Sequence, residues 1–460
     1  MERNVIRMIQ FANASLDTLI QKGGHACACG RTHEMKMDFL RIGPGAVQSI
    51  PDGLRAMGGT KPFIVCDRHT KAAAWDAVRP VLEAASIPYT LYCFLPEHVE
   101  PDEYAVGALT MAFDPSCDCV MGIGSGVIND CCKVLARAIG KKQMIVGTAP
   151  SMDGYASNSS SMIQNRVKVS LYNAAPSAII CDIDIIKNAP MRMLWAGFGD
   201  MIAKYVALCE WRISHLITGE YYCENVAGLM RSSLQKIVAN AGGLKDRDPV
   251  AVQATVEGLV LSGIAMSYAK ISRPASGLEH YFSHVWEMMA LDRGTPYELH
   301  GIQVGVGTYL TLRLYDRIRT LRPSRETAQA FMDSFDNAAW EAMIRRVFGK
   351  AAENVIRQEH EQQHNNDKAL HAQRLERILS HWDEILRIID EELPSTEQIA
   401  GFMRNLGMPM EPADIQISAQ DTQDAFITSR DIRAKYLTSS MLWDLGLLYT
   451  FPLPSQKEGY

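Results

Sequence analysis

Two hydrophobic rhythms divide the chain. Between Lys61 and about Pro190, short apolar runs alternate with amphipathic stretches. KPFIVCD (61–67), YTLYCFL (89–95), CDCVMGIG (117–124), KQMIVGTAP (142–150) and SAIICDIDII (177–186) read as buried strands. HTKAAAWDAVRPVLEAAS (69–86), PDEYAVGALTMAF (101–113) and GVINDCCKVLARAIG (126–140) carry apolar positions at helical spacing. Upstream, EMKMDFLRI (34–42) alternates as a strand does, and GPGAVQSIPDGLRAMG (43–58) reads as a glycine-opened helix. This alternation predicts a parallel α/β sheet. After about Lys187, β-branched runs become rare and apolar residues recur at i, i+3, i+4 to the C-terminus, as in ENVAGLMRSSLQKIVANA (224–241) and LHAQRLERILSHWDEILRIIDEEL (370–393). The pattern predicts an α/β domain over 1–187 and an all-helical domain over 188–460. Residues 1–21 read as a short amphipathic helix.

Composition narrows the function classes. The 460 residues include 46 Lys and Arg against 52 Asp and Glu, a formal net charge of −6. That balance argues against broad nucleic-acid binding, while leaving small phosphates and dinucleotides open. No apolar run reaches the length of a membrane span. The N-terminus lacks the apolar core and small-residue cleavage site of a secretory signal. Eleven cysteines, most inside apolar runs, fit a reduced, cytoplasmic chain with free thiols. One cluster differs: His25, Cys27, Cys29 and His33 in HACACGRTH are either structural metal ligands or a polar turn before a strand. His360 and His364, four apart in a charged stretch, are a solvated helix face or a metal clip.

Three regions carry candidate chemistry. In VMGIGSGVIND (120–130) a buried strand runs into Gly122, Gly124 and Gly126 before a helix. Such a turn brings backbone close to phosphate at a helix N-terminus. A side chain at Gly124 is then expected to block pyrophosphate while leaving the fold intact. The spacing is GxGxG, and the acid best placed for a ribose, Asp67, precedes the glycines. Both features depart from the ordinary Rossmann fingerprint. The strand ending in GTAPSMDGYASNSSS (147–161) leads directly to hydroxyls and one acid, Asp153. In the helical half, Asp200, His280, His284 and His300 lie in glycine-punctuated apolar surroundings. One carboxylate and two imidazoles make a catalytic metal set with open positions; each histidine taken alone is better read as a satisfied core residue.

GIGSGVIND, TAPSMDGYAS, GFGDMIAKY, SGLEHYFSH and ELHG, in this order, resemble the iron-containing alcohol dehydrogenase and glycerol dehydrogenase superfamily, which includes dehydroquinate synthase. Within it the chain is most similar to the bacterial sn-glycerol-1-phosphate dehydrogenases. The resemblance extends through DAFITSRDIRAKYLTSSMLWDLGLL near the C-terminus. It implies a Rossmann-like dinucleotide-binding α/β domain, a C-terminal helical domain and an active site in the cleft between them. Gly124, Ser125, Gly126, Val127 and Asp130 then lie beside the NAD or NADP pyrophosphate, with Thr148, Ser151 and Ser157 also on the cofactor. Asp153 matches a substrate-contacting acid, Asp200, His280 and His300 the metal ligands, and His284 a second, substrate-side histidine. Lys204 stands where some iron enzymes have a fourth ligand, which favours a three-ligand site and zinc or nickel over iron. Lys204 and Arg273 are candidate cations for a substrate phosphate. The implied activity interconverts dihydroxyacetone phosphate and sn-glycerol 1-phosphate in a homo-oligomer. The rivals are a glycerol dehydrogenase of unphosphorylated polyols, a dehydroquinate-synthase-like cyclase, and a non-catalytic nucleotide-binding protein.

Overall fold

The structure, a computed structural model, describes residues 9–165 and 167–453. It packs as two compact units. One comprises Met1–Met201 with Cys223–Pro274, the other Ile202–Tyr222 with Ala275–Tyr460.

The first unit is built on a six-stranded sheet: β3 (Phe39–Gly43), β4 (Pro62–Cys66), β5 (Thr90–Cys93), β6 (Cys119–Gly124), β7 (Lys142–Gly147) and β10 (Ala178–Asp182), in the order β3-β10-β7-β6-β4-β5. Every pairing in it is parallel. The strands read as unbroken apolar runs because both faces are covered. Ile64, Met121, Ile123, Met144, Val146 and Ile180 face one core with Val78 and Leu82. Phe63, Val65 and Val120 face the other with Ile128, Cys132 and Leu135. That split follows from side chains pointing alternately to opposite faces of a strand.

Two small hairpins escape the alternation pattern. β1 (His25–Ala26) pairs with β2 (Thr32–His33), and β8 (Ser159–Gln164) pairs antiparallel with β9 (Val167–Tyr172). The second begins inside the hydroxyl-rich stretch 147–161, where the sequence shows no apolar alternation because the buried face of β8 is shared by Met162 and the hydroxyl of Ser160. The expected N-terminal helix is also broken. Residues 1–8 lie outside the described residues; beyond them come a 3-10 turn at Phe11–Asn13 and one helical turn at Leu16–Leu19. Ala14 between them is extended, and Ser15 caps the second piece by accepting from the Thr18 N–H at 3.2 Å.

From Ile183 onward every regular element described is helical. Pro249–Ala269 has the length and composition of a membrane span, but 67% of that window is buried inside the protein. It serves as a core helix of the first unit.

Candidate active site

The direction of the chain reverses across β4 and β6. β4 leads through Arg68–Ala84 to β5 on one side, and β6 leads through Gly126–Ala138 to β7 on the other. Ligands of open α/β sheets bind outside the carboxyl ends of strands at such a switch point. Asp67 follows β4 directly and Gly124 ends β6, and these two strands are hydrogen-bonded neighbours. The acid and the glycines, out of order in the sequence, thus stand at the carboxyl ends of neighbouring strands.

Local hydrogen bonding shows what each candidate already does. Asp67 is the N-cap of Arg68–Ala84 and accepts from the Thr70 N–H at 2.7 Å. Ser125 Oγ and Ser151 Oγ are 2.6 Å apart, and Tyr155 donates to Ser125 Oγ at 3.1 Å and to the Ala149 carbonyl at 2.6 Å. These bonds knit the loops after β6 and β7 together. The Thr148 N–H donates to the Gly124 carbonyl at 3.1 Å. Asp130 accepts from the Ser161 N–H at 2.9 Å and pairs with buried Lys133 at 2.9 Å. Lys133 Nζ also donates to the carbonyls of Gly154 and Ser159 and to Ser157 Oγ. Val127 lies half-buried in the first turn of the helix. Asp130, Ser157 and Lys133 therefore form the clamp that shapes the second loop.

Gly124 bears on the fold as well as on access. A Cβ built there would sit 2.6 Å from Ile128 Cβ and Cγ1. Valine at 124 would push the helix off the sheet, contrary to the expectation of an intact fold. We expect Gly124→Val to lower the melting temperature, at a cost of about 1–3 kcal/mol for overpacking. At Gly126 the neighbour is Met152 Cγ at 3.2 Å, on a flexible side chain that can yield. Gly126→Ala is expected to raise the cofactor KM with little change in melting temperature; thermal melts beside KM measurements check both.

Asp200 lies in the helix Met191–Ile202 and is fully buried. Its Oδ2 accepts from the Asp153 N–H at 2.9 Å, and Asp153 Oδ2 accepts from Ser262 Oγ at 2.8 Å. Gly197 permits this approach. A Cβ there would meet the Pro150 carbonyl oxygen at 1.8 Å, so only glycine lets this helix lie against the loop that carries Asp153.

The second unit assembles the histidines. His280 and His284 lie on Leu278–Arg293, and His300 opens His300–Ile318. The ring centroids of His300 lie 5.5 Å from those of both His280 and His284. His280 Nδ1 is 2.8 Å from Glu279 Oε1; His300 Nδ1 is 3.1 Å from Glu287 Oε1 and 3.0 Å from Ser283 Oγ. A carboxyl oxygen accepting from Nδ1–H fixes the tautomer and leaves the Nε2 lone pair for a metal. The donor chemistry of both imidazoles therefore fits a divalent ion. One donor atom each of His284, Glu287 and His300 lies within 4.8 Å of the others. Burial and the Glu210 carboxylate push the Glu279 carboxyl up to about 8, while Lys204 pulls the other way. Lys204 is itself buried, and its charge acts on the Glu279 carboxyl.

A family profile described as iron-containing alcohol dehydrogenase matches residues 41–190. Over 294 residues the chain is 34% identical to a protein of Halalkalibacterium halodurans named glycerol-1-phosphate dehydrogenase, NAD(P)+; the match spans 63% of this chain and 73% of that protein. The chain belongs to the glycerol-1-phosphate dehydrogenase family. A glycerol-1-phosphate dehydrogenase of Bacillus licheniformis is 26% identical over 437 residues, covering 94% of this chain and 96% of its own. An alcohol dehydrogenase from Oenococcus oeni superposes with a TM-score of 0.57 at 13% identity, covering 90% of this chain and 98% of that one. That likeness concerns the fold alone, and it is the fold class the hydrophobic pattern predicted.

For a member of the glycerol-1-phosphate dehydrogenase family, sequence reasoning picked out the histidines and missed the groups that hold them. Glu287 follows His284 by three on the same helix and lies 4.0 Å from its Nδ1, so i, i+3 spacing was a usable signal for that acid, whereas the adjacent Glu279–His280 pair and the Glu287–His300 contact, 13 residues apart, gave none. Lys133, three after Asp130, was signalled in the same way. Ser262 left no such signal, because its partner Asp153 lies 109 residues away, and Tyr155 left none, because Ser125 lies in a different loop, 30 residues away.

Proposed function

We propose that the chain is an NAD(P)-dependent oxidoreductase interconverting dihydroxyacetone phosphate and sn-glycerol 1-phosphate, with one divalent metal, zinc or nickel, held by Asp200, His280 and His300. The observation that carries this reading is the pair of imidazoles whose Nδ1 atoms are held by Glu279 and Glu287. The relatives' names supply the substrate and the cofactor class; oxidising the secondary alcohol of glycerol 1-phosphate gives dihydroxyacetone phosphate. We assign nucleotide binding to 1–187, and metal and substrate binding to 188–460 with Asp153 reaching in from the earlier segment. The eleven cysteines, none of them in a disulfide, favour the cytoplasm.

When bound, NAD(P)H supplies the hydride and the metal supplies Lewis acidity at the C2 oxygen. The chain's own residues do the rest. Gly124, Ser125, Gly126 and Val127 offer the N-terminus of the helix Gly126–Ala138 to the pyrophosphate. Thr148, Ser151 and Ser157, with Asp130 bracing their loop, shape the remaining cofactor wall. Asp153 and His284 orient the substrate hydroxyls, and His284 holds the proton destined for the C2 oxygen. Lys204 provides positive charge for the phosphate.

Asp67 hydrogen-bonds the ribose and repels a 2′-phosphate in this reading. Asn at 67 keeps a capping oxygen and loses the charge. We expect Asp67→Asn to shift the NADH to NADPH ratio of kcat/KM about five- to tenfold toward NADPH, as for the loss of ~1–1.4 kcal/mol of repulsion. An unchanged ratio would remove Asp67 from the cofactor site. The proposed function itself is tested by turnover of dihydroxyacetone, its phosphate and both enantiomers of glycerol phosphate with each cofactor. Preference for the sn-glycerol 3-phosphate enantiomer would overturn it.

A further inference from the structure

The cluster in HACACGRTH changes its membership once the chain is folded. His25 Nε2 lies 2.8 Å from the Thr18 carbonyl and is engaged there. Its place is taken by Cys223, which lies 190 residues beyond His33 and is the N-cap of Glu224–Asn240. Donor atoms of Cys27, Cys29, His33 and Cys223 all lie within 4.8 Å of one another, and all four residues belong to the first unit.

The spacing of these atoms is that of a tetrahedron around one ion. Zinc bonds of about 2.3 Å to sulfur and about 2.0–2.1 Å to nitrogen give edges of about 3.8 Å for S···S and about 3.5 Å for S···N. The structure has Cys27 Sγ to Cys223 Sγ at 3.7 Å, Cys29 Sγ to His33 Nε2 at 3.3 Å, and Cys223 Sγ to His33 Nε2 at 3.5 Å. His33 is prepared for this role. Its Nδ1 lies 2.9 Å from the Tyr268 carbonyl, which places the proton on Nδ1 and the lone pair on Nε2. Asn225 Nδ2 lies 3.8 Å from Cys27 Sγ, an outer donor of the kind that supports a thiolate ligand. Cys27, His33 and Cys223 are buried and Cys29 is half-buried, with Phe11 and Tyr268 packed on the His33 ring.

We propose that Cys27, Cys29, His33 and Cys223 form a structural zinc site, separate from the active-site metal, that staples the β1–β2 hairpin to the helix Glu224–Asn240. Four protein ligands leave no open position, which marks a structural and not a catalytic ion. Three thiolates and one imidazole select zinc over hard, oxygen-seeking cations. The staple joins segments that local contacts alone hold weakly: a hairpin of two-residue strands and a helix start nearly 200 residues away.

Zinc per chain, measured on the purified full-length protein, tests this. Cys223→Ser should lose one equivalent relative to its parent, both in the wild type and in an Asp200→Ala background; Cys93→Ser, outside the cluster, should lose none. The proposed active-site ligands contain no thiolate, so the cluster also has its own spectroscopic signature. Chain produced in cobalt-supplemented medium should show thiolate-to-cobalt charge-transfer absorption, which needs no variant to fold. Absence of that band, equal zinc content with and without Cys223→Ser, or a Cys27–Cys223 disulfide in the freshly purified protein would each overturn the proposal. Because the losses are read against each parent, failure of the Asp200 assignment leaves this test intact.

Discussion

Replacing His280 with alanine is expected to strip the active-site metal and lower kcat/KM by about a thousandfold or more. Lewis-acid stabilisation of charge on the C2 oxygen is worth several kcal/mol, and ~4 kcal/mol corresponds to about three orders of magnitude. Asp200→Ala and His300→Ala should do the same, because a three-ligand site has no redundancy. The carboxylates behind the histidines grade the effect. Glu279 Oε1 holds His280 Nδ1 at 2.8 Å and accepts from the Gly277 N–H at 2.7 Å. Glu279→Gln keeps the volume and an acceptor, so a loss of about 10–100-fold in metal affinity or activity is expected. Metal content and kcat/KM, measured on the same preparations, separate the two classes. Full activity in a demonstrably metal-free wild type would sink the metal assignment.

Dihydroxyacetone phosphate should be reduced far better than dihydroxyacetone. Losing a charge-assisted contact to phosphate costs ~1.5–3 kcal/mol per hydrogen bond, or roughly ten- to a hundredfold in kcat/KM. Lys204 is the cation we assign to that phosphate, yet its charge already acts on the buried Glu279 carboxyl, which also lies under the field of Glu210. Lys204→Met resolves the two roles. A phosphate contact predicts a narrowed preference with an unchanged melting temperature. A counter-ion role predicts a lowered melting temperature and an intact preference, because removing the cation leaves buried carboxylates uncompensated. Equal kcat/KM for the phosphorylated and unphosphorylated ketones would hand the chain to the glycerol dehydrogenases.

What the sequence determined by itself was local. The unbroken apolar runs at 62–66, 119–124 and 178–182 identified buried parallel strands, because strands covered on both faces cannot alternate. The glycines that end β6 and open the next helix, with the hydroxyls after β7, marked the carboxyl-terminal edge of the sheet, because strand C-termini lie together in a parallel sheet. The serine-rich strand β8 was illegible, since its inward residues are partly hydroxyls that bond Asp130 and Asn173 rather than apolar side chains. Tertiary structure alone decided which distant groups meet. Spacing showed Cys27, Cys29 and His33 but not Cys223, and it offered His25, whose ring turns to Thr18. Spacing likewise placed Asp67 in the sequence but not beside Gly124, a neighbourhood created by the pairing of β4 with β6. Local periodicity is imposed by backbone geometry within a few residues, whereas convergence of side chains follows from which faces the whole chain must bury together.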